Sequence, residues 1–207
     1  MHKKQVVYAG VKLGESKKAL IMLHGRGALA ADILSLADYL AVNNFSLIAP
    51  QATNNTWYPY SFMAPVSANE PWLSSALALL KEIVNDIIAA GVDKKEIYFL
   101  GFSQGACLML EFTARNADHY GGIIAFTGGL IGETINHQNY IGDFLNTPVF
   151  IGTSDPDPHV PVSRVKESTA ILTRLHAIVK EKIYPGMGHT ISEDEISMAK
   201  NILAGKG

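Results

Sequence analysis

The sequence predicts an α/β fold, a mostly parallel central sheet with helices on both faces. Three observations carry that expectation. Continuous apolar runs such as Ala19-Leu20-Ile21-Met22-Leu23 and Ile97-Tyr98-Phe99-Leu100 read as strands buried on both faces. These runs alternate with stretches of helical spacing, the pattern left by right-handed crossovers between parallel strands. Finally, 207 residues that are 48% apolar and only 17% charged suffice for a large core, so one domain over 1–207 is expected.

Taken in order, residues 5–10 alternate as a short strand and 14–18 make a turn before the run 19–23. That run stops at the glycine-rich loop His24-Gly25-Arg26-Gly27-Ala28. Ile33, Leu34, Leu36, Ala37 and Leu40 then have helical spacing over 31–41, and 45–49 is the next strand. From 50 to 72 no period is sustained, but four prolines accompany a set of large aromatic residues. Long loops in compact domains are usually functional, and Trp57, Tyr58, Phe62 and Trp72 are expected to wall a substrate pocket. Pro71 marks the start of an amphipathic helix over 73–90 that ends at Gly91. Residues 97–100 form a strand and 106–114 a helix, separated by a glycine-flanked turn. Strand 121–127 runs into Gly128-Gly129, 131–146 is a polar, irregular connection, and 147–152 is a further buried strand. An acidic, proline-rich loop over 153–161, a helix over 162–177, a strand over 179–184, a glycine loop and a helix over 193–203 complete the chain.

Several function classes are excluded early. A net charge of −2 without a basic stripe gives no electrostatic attraction to nucleic acid. No apolar run reaches the roughly 18 residues needed to span a bilayer, so stable membrane insertion is not expected. The single cysteine, Cys107, rules out an intramolecular disulfide, and Met1-His2-Lys3-Lys4-Gln5 leads into a strand rather than a signal segment. The expectation is a cytoplasmic protein, with a homodimer left open.

Ligands of parallel sheets bind beyond the carboxyl ends of the strands, and four loops there carry reactive side chains: 24–28, 101–105, 153–161 and 185–190. Gly101-Phe102-Ser103-Gln104-Gly105, a G-x-S-x-G pentapeptide between strand and helix, reads as a nucleophile elbow. Ser103 is expected at a strained, positive-φ position, with Gly101 and Gly105 removing side chains that would collide with the crossing backbone. Serine needs a base within reach, and the base needs an acid to set its tautomer. His189 in Gly186-Met187-Gly188-His189-Thr190 is the candidate base. For the acid, Asp155-Pro156-Asp157-Pro158-His159 offers two carboxylates, of which Asp157 is preferred. The same stretch reads poorly as a metal site, because the prolines hinder convergence and no clear closing ligand exists, so no metal is expected. An attacked carbonyl develops an oxyanion that needs fixed N–H donors, each worth about 3 to 4 kcal/mol of barrier. The backbone N–H of Gln104 follows the nucleophile, and that of Arg26 lies where Gly25 and Gly27 permit close approach. His24 is expected to brace this loop and Cys107 to be a small packed residue.

Leu23-His24-Gly25-Arg26-Gly27-Ala28, Gly101-Phe102-Ser103-Gln104-Gly105-Ala106, Asp157-Pro158-His159-Val160-Pro161 and Pro185-Gly186-Met187-Gly188-His189-Thr190 together resemble the phospholipase/carboxylesterase family of α/β-hydrolases. That family includes bacterial carboxylesterases and acyl-protein thioesterases. The resemblance spans nearly the whole chain and implies an α/β-hydrolase fold with no large lid domain and no cofactor. It implies Ser103 as nucleophile, Asp157 as the acid before the Val160-Pro161 pair, His189 as base, and Arg26 and Gln104 as backbone oxyanion donors. Two departures stand out. The stretch from Gly152 to the acid is longer than usual, which keeps Asp155 in view. Arg26-Gly27-Ala28 also replaces the leucine and aspartate that flank the second glycine in eukaryotic thioesterases, which makes a bacterial small-ester hydrolase the nearer relative. The expected activity is hydrolysis of a small-molecule or lipid-like carboxylic ester of short to medium acyl chain, through an acyl-enzyme. An acyl-thioesterase or lysophospholipase would use the same residues, and a non-catalytic binding protein on the hydrolase scaffold is the alternative from another class.

Overall fold

A computed structural model describes residues 1–206. Its strands are β1 (Val6–Gly10), β2 (Lys18–Leu23), β3 (Phe45–Pro50), β4 (Ile97–Phe102), β5 (Gly122–Phe126), β6 (Pro148–Asp155) and β7 (Ile178–Pro185). They form one sheet in the order β1-β3-β2-β4-β5-β6-β7, with β1 antiparallel to β3 and every other pair parallel. The helices are α1 (Ala30–Leu34), α2 (Val66–Asn69), α3 (Trp72–Ala89), α4 (Gln104–Arg115), α5 (Val162–Arg174) and α6 (Glu193–Leu203).

The unbroken apolar runs follow from burial on both faces. In β2, Ile21 and Leu23 join a core with Leu80 of α3, Leu108 of α4 and Leu172 of α5. Leu20 and Met22, pointing the other way, join a second core with Ile33 of α1 and Ile202 of α6. Successive strand side chains thus alternate between two apolar layers rather than between core and water. Among the described residues no helix is long and apolar enough to cross a membrane.

Four boundaries differ from the sequence expectation. The helix expected over 31–41 is a short α1 followed by a 3-10 segment, Ser35–Tyr39. The Ser35 hydroxyl donates to the Asp32 carbonyl at 2.7 Å, the acceptor a continuing α-helix would offer to residue 36. The aromatic loop over 50–72 contains a 3-10 turn, Thr53–Asn55, and the short α2, held by buried Asn69, which bonds the Tyr60 N–H and Ser61 carbonyl at 2.9 Å each. Strand β6 runs on to Asp155 because β7 pairs with it as far as Asp155 opposite Pro185. Helix α5 stops at Arg174, and the chain reverses through His176 at φ 62°.

At the centre of the sheet β4 passes through Ser103 (φ 54°, ψ −119°) directly into α4. A Cβ on Gly101 would lie 2.8 Å from the Ala106 nitrogen, and one on Gly105 would lie 2.3 Å from the Leu23 carbonyl oxygen. Both obstacles are backbone, so neither can swing aside. Gly105→Ala is expected to lower stability by about 1–3 kcal/mol or more, read as a shift in the denaturant midpoint. An unchanged midpoint would show that α4 can move off the end of β2.

Candidate active site

Ser103 stands at the tip of the β4–α4 turn, and the loop between β7 and α6 carries His189 across the strand ends to meet it. His189 Nε2 lies 2.8 Å from Ser103 Oγ, and His189 Nδ1 lies 2.8 Å from Asp157 Oδ2. The other carboxylate oxygen of Asp157 accepts from the backbone N–H groups of His159 (2.8 Å) and Val160 (2.9 Å). The Asp157 side chain is fully buried. Burial pushes its carboxyl up, but hydrogen bonds from His189 and the two N–H groups outweigh that and hold it below the ordinary carboxylate value. An ionised Asp157 requires the hydrogen on Nδ1, which leaves the Nε2 lone pair facing the serine hydroxyl. The imidazole is held between the rings of Phe102 and His159, at centroid distances of 5.1 and 4.9 Å. Asp155 is exposed at the end of β6, where its carbonyl accepts from Gly186 at 2.9 Å. Of the two candidate acids, only Asp157 reaches the histidine.

The glycine-rich loop after β2 lies against this turn, with a Cβ on Gly25 falling 3.6 Å from Ser103 Cβ. Among the described residues neither the Arg26 N–H nor the Gln104 N–H, at the first position of α4, donates to a protein acceptor. Both residues line the same cavity as Ser103. The loop is braced from below as expected: His24 Nδ1 donates to the Gly25 carbonyl (2.7 Å), and its Nε2 accepts from the Ala52 N–H (3.1 Å). Burial lowers the His24 pKa, which keeps the imidazole neutral in both bonds.

The side chain of Gln104 has a role the sequence did not reveal. Its amide oxygen accepts from the Trp57 N–H (3.0 Å), and its amide nitrogen donates to the Tyr58 carbonyl (2.8 Å). The aromatic loop is thereby anchored to the first turn of α4. Only contact between segments 46 residues apart, not local pattern, could reveal this.

A cavity of about 700 Å³ opens over Ser103 and His189, lined on its walls by Tyr58, Tyr60, Phe62, Phe102 and Val160. Of the four aromatic residues expected there, Tyr58 and Phe62 take part and Trp57 and Trp72 do not. Trp57 is fully buried beneath the loop, its indole N–H donating to the His24 carbonyl at 2.9 Å. The Trp57 and Trp72 rings instead flank His2, at 5.6 and 5.2 Å. Cys107 also touches the cavity, but burial pushes its thiol up to about 12, so it stays protonated. Among the described residues, no group of three or more His, Cys, Asp or Glu side chains could hold a metal ion, and the 155–159 stretch engages His189 through Asp157.

A family model described as Phospholipase/Carboxylesterase matches residues 4–205. Among solved structures the chain is similar to a phospholipase/carboxylesterase from Dyadobacter fermentans, at 59% identity and a TM-score of 0.97, covering 98% of this chain and 97% of that one. Acyl-protein thioesterase 1 of Saccharomyces cerevisiae is 27% identical over 208 residues, 89% of this chain and 91% of the other. A Bacillus cereus carboxylesterase at 18% identity shares the fold, with a TM-score of 0.80 over 99% of this chain and 95% of that one. The mostly parallel sheet is therefore that of an α/β-hydrolase, as the sequence predicts.

Two measurements follow from this geometry. Gln104→Ala leaves the Trp57 N–H and the Tyr58 carbonyl buried without this partner, so a loss of about 1–3 kcal/mol is expected in denaturant unfolding, with faster amide exchange at Trp57. A loss of no more than about 0.5 kcal/mol, as at an ordinary surface site, would show that the loop holds without it. Asp157 titrates lower folded than unfolded, where an aspartate sits near ~3.9. Its contribution to stability is therefore present above about pH 4 and lost as the pH falls through the folded value. The stability gap between wild type and Asp157→Asn should narrow over that acid range, and a gap independent of pH would contradict the depressed value.

Proposed function

The chain belongs to the phospholipase/carboxylesterase family and is a hydrolase, and we propose that it is a cofactor-independent serine carboxylesterase acting through an acyl-enzyme. The observation that carries this reading is the continuous hydrogen-bonded chain Ser103–His189–Asp157, 2.8 Å at each link, with the serine at the tip of a strained turn. Ser103 Oγ attacks the ester carbonyl carbon while His189 Nε2 takes its proton. Asp157 holds the imidazole in the required tautomer and stabilises the imidazolium that forms. The carbonyl oxygen, now an oxyanion, accepts from the N–H groups of Arg26 and Gln104. The carbon–oxygen bond to the alcohol breaks, and the alcohol leaves with the proton from His189. Water then attacks the acyl-serine, giving its proton to the same nitrogen, and the acid is released as Ser103 recovers its hydrogen.

The lining of Phe62, Phe102 and Val160 beside the nucleophile supports an acyl chain of short to medium length. A thioester would follow the same route with a thiol as leaving group, and a relative named as an acyl-protein thioesterase at 27% identity favours testing it beside the oxygen ester.

Hydrolysis of 4-nitrophenyl esters from acetate to palmitate, and of one acyl-thioester, tests the proposal. Ser103→Ala is expected to lower turnover by about 10⁶-fold and Asp157→Asn by about 10⁴-fold, with Asp155→Asn close to wild type. Retained activity in Ser103→Ala would overturn the mechanism, and a larger loss in Asp155→Asn than in Asp157→Asn would move the acid.

A further inference from the structure

Arg26 does more in this site than present its backbone. Its guanidinium turns toward the aromatic loop, where Nη1 donates to Thr56 Oγ1 (2.9 Å) and the Pro59 carbonyl (2.9 Å), and Nη2 donates to the Tyr60 carbonyl (2.6 Å). All three acceptors are neutral. No carboxylate among the described residues lies within ion-pair distance of it, although Arg115 and Arg164 each have one. Of the five N–H donors of an arginine, two remain, one on Nε and one on Nη2, the two nitrogens that form one edge of the planar fork. Three bonds to the loop therefore fix the orientation of a cation whose charge is not neutralised.

The surroundings point the same way. The cavity lining contains Arg26, His159 and His189 but neither an aspartate nor a glutamate. Tyr58, whose ring lies 6.0 Å from the Arg26 guanidinium carbon, is 1% exposed, and its phenolic oxygen has no hydrogen-bond partner. A fully buried hydroxyl without a partner loses the hydrogen bonds it would make in water. The groups that act on it are the thiol of Cys107, a weak acceptor, the Arg26 guanidinium and, from the core behind, the buried carboxylate of Glu111.

We propose that this pocket selects esters carrying a carboxylate, which Arg26 receives on its free edge. The planar pair of oxygens of a carboxylate matches two N–H donors of a guanidinium edge. The backbone N–H of the same residue faces the reacting carbonyl in the mechanism above, which puts the anion within one arginine side-chain length of the scissile bond. The substrate class is thus a half-ester of a short dicarboxylic acid, or the ester of an alcohol bearing a carboxylate. The assignment rests on the hydrolase reading for the bond that is cleaved, but not for the binding of the anion. Because Arg26 is exposed at the pocket mouth, the preference is expected to be about tenfold, not the larger factor of a desolvated pair.

The test separates binding from turnover. In the Ser103→Ala protein, dissociation constants are measured by titration calorimetry for two matched pairs. One pair is 4-nitrophenyl hexanoate and mono(4-nitrophenyl) adipate, with the anion on the acid half. The other is 3-carbamoylphenyl butyrate and 3-carboxyphenyl butyrate, with the anion on the alcohol half. The anionic member of at least one pair should bind about tenfold more tightly at low salt, less so as salt is raised. That ratio should fall to about one when Arg26→Gln is added and be only partly kept with Arg26→Lys, whose ammonium lacks the fork. Each ratio is taken within one protein, so a general loosening of the loop in an Arg26 variant divides out. Equal binding within both pairs in the Ser103→Ala protein overturns the proposal, and so does a preference that survives Arg26→Gln. Labelling of wild-type Ser103 by a fluorophosphonate reports on the hydrolase reading separately. Preference without labelling would sink that reading alone, and labelling without preference would sink the carboxylate site alone.

Discussion

Gly105 lies so close to the end of β2 that a single methyl group there would sit 2.3 Å from the Leu23 carbonyl oxygen and 2.6 Å from that of His24. The rest of the site depends on this contact. It lets α4 start immediately after β4, which forces Ser103 into a left-handed backbone conformation costing on the order of 1–3 kcal/mol. It also presses the glycine-rich loop that follows β2 against the serine. Ser103 and the backbone N–H of Arg26 are therefore positioned by one backbone contact. The large apolar cores on both faces of the sheet are what sustain the strained turn.

From that centre the site grows by hydrogen bonds between loops distant in sequence. His24, Gln104 and Arg26 each reach the 52–60 segment from a different side, to Ala52, to Trp57 and Tyr58, and to Thr56, Pro59 and Tyr60. A segment with neither helical nor strand periodicity has no ladder of its own to satisfy its polar groups. Here the loop after β2 and the first turn of α4 supply the partners, which fixes the aromatic wall to both. The consequence is that the wall is tied to the Ser103 turn and to the loop after β2, an arrangement suited to donors that are in place before a ligand arrives.

Charge is distributed with the same economy. Asp157 is the one carboxylate brought to the histidine, fully buried and satisfied by three donors, so its charge orients His189 rather than repelling an anion in the cavity. The cavity itself carries a fixed cation and no fixed anion among its lining residues. An open pocket of that sign raises the local concentration of negatively charged ligands before any specific contact forms.

The order of strands and helices, the tight turn at Ser103 and the loops that bring Ser103, His189, Arg26 and Gln104 to one cavity were legible in the sequence, because each rests on local patterns of period, glycine and loop chemistry. The strand lengths were less so, since β6 ends where β7 stops pairing with it and not where its own apolar run ends. That register also decides which aspartate meets His189. Asp155 is still in the ladder opposite Pro185, whereas Asp157 lies two residues beyond it, where the loop turns back under His189. Spacing within 155–157 cannot express that difference, because it is set by a neighbouring strand some thirty residues away. The aromatic wall is the clearest case of the same limit. Trp57 and Tyr58 are adjacent, yet one is buried under the loop and the other faces the cavity. An irregular segment has no period from which facing can be read, so side chains from α4 and from the loop after β2 decide it through bonds that exist only once the chain has folded.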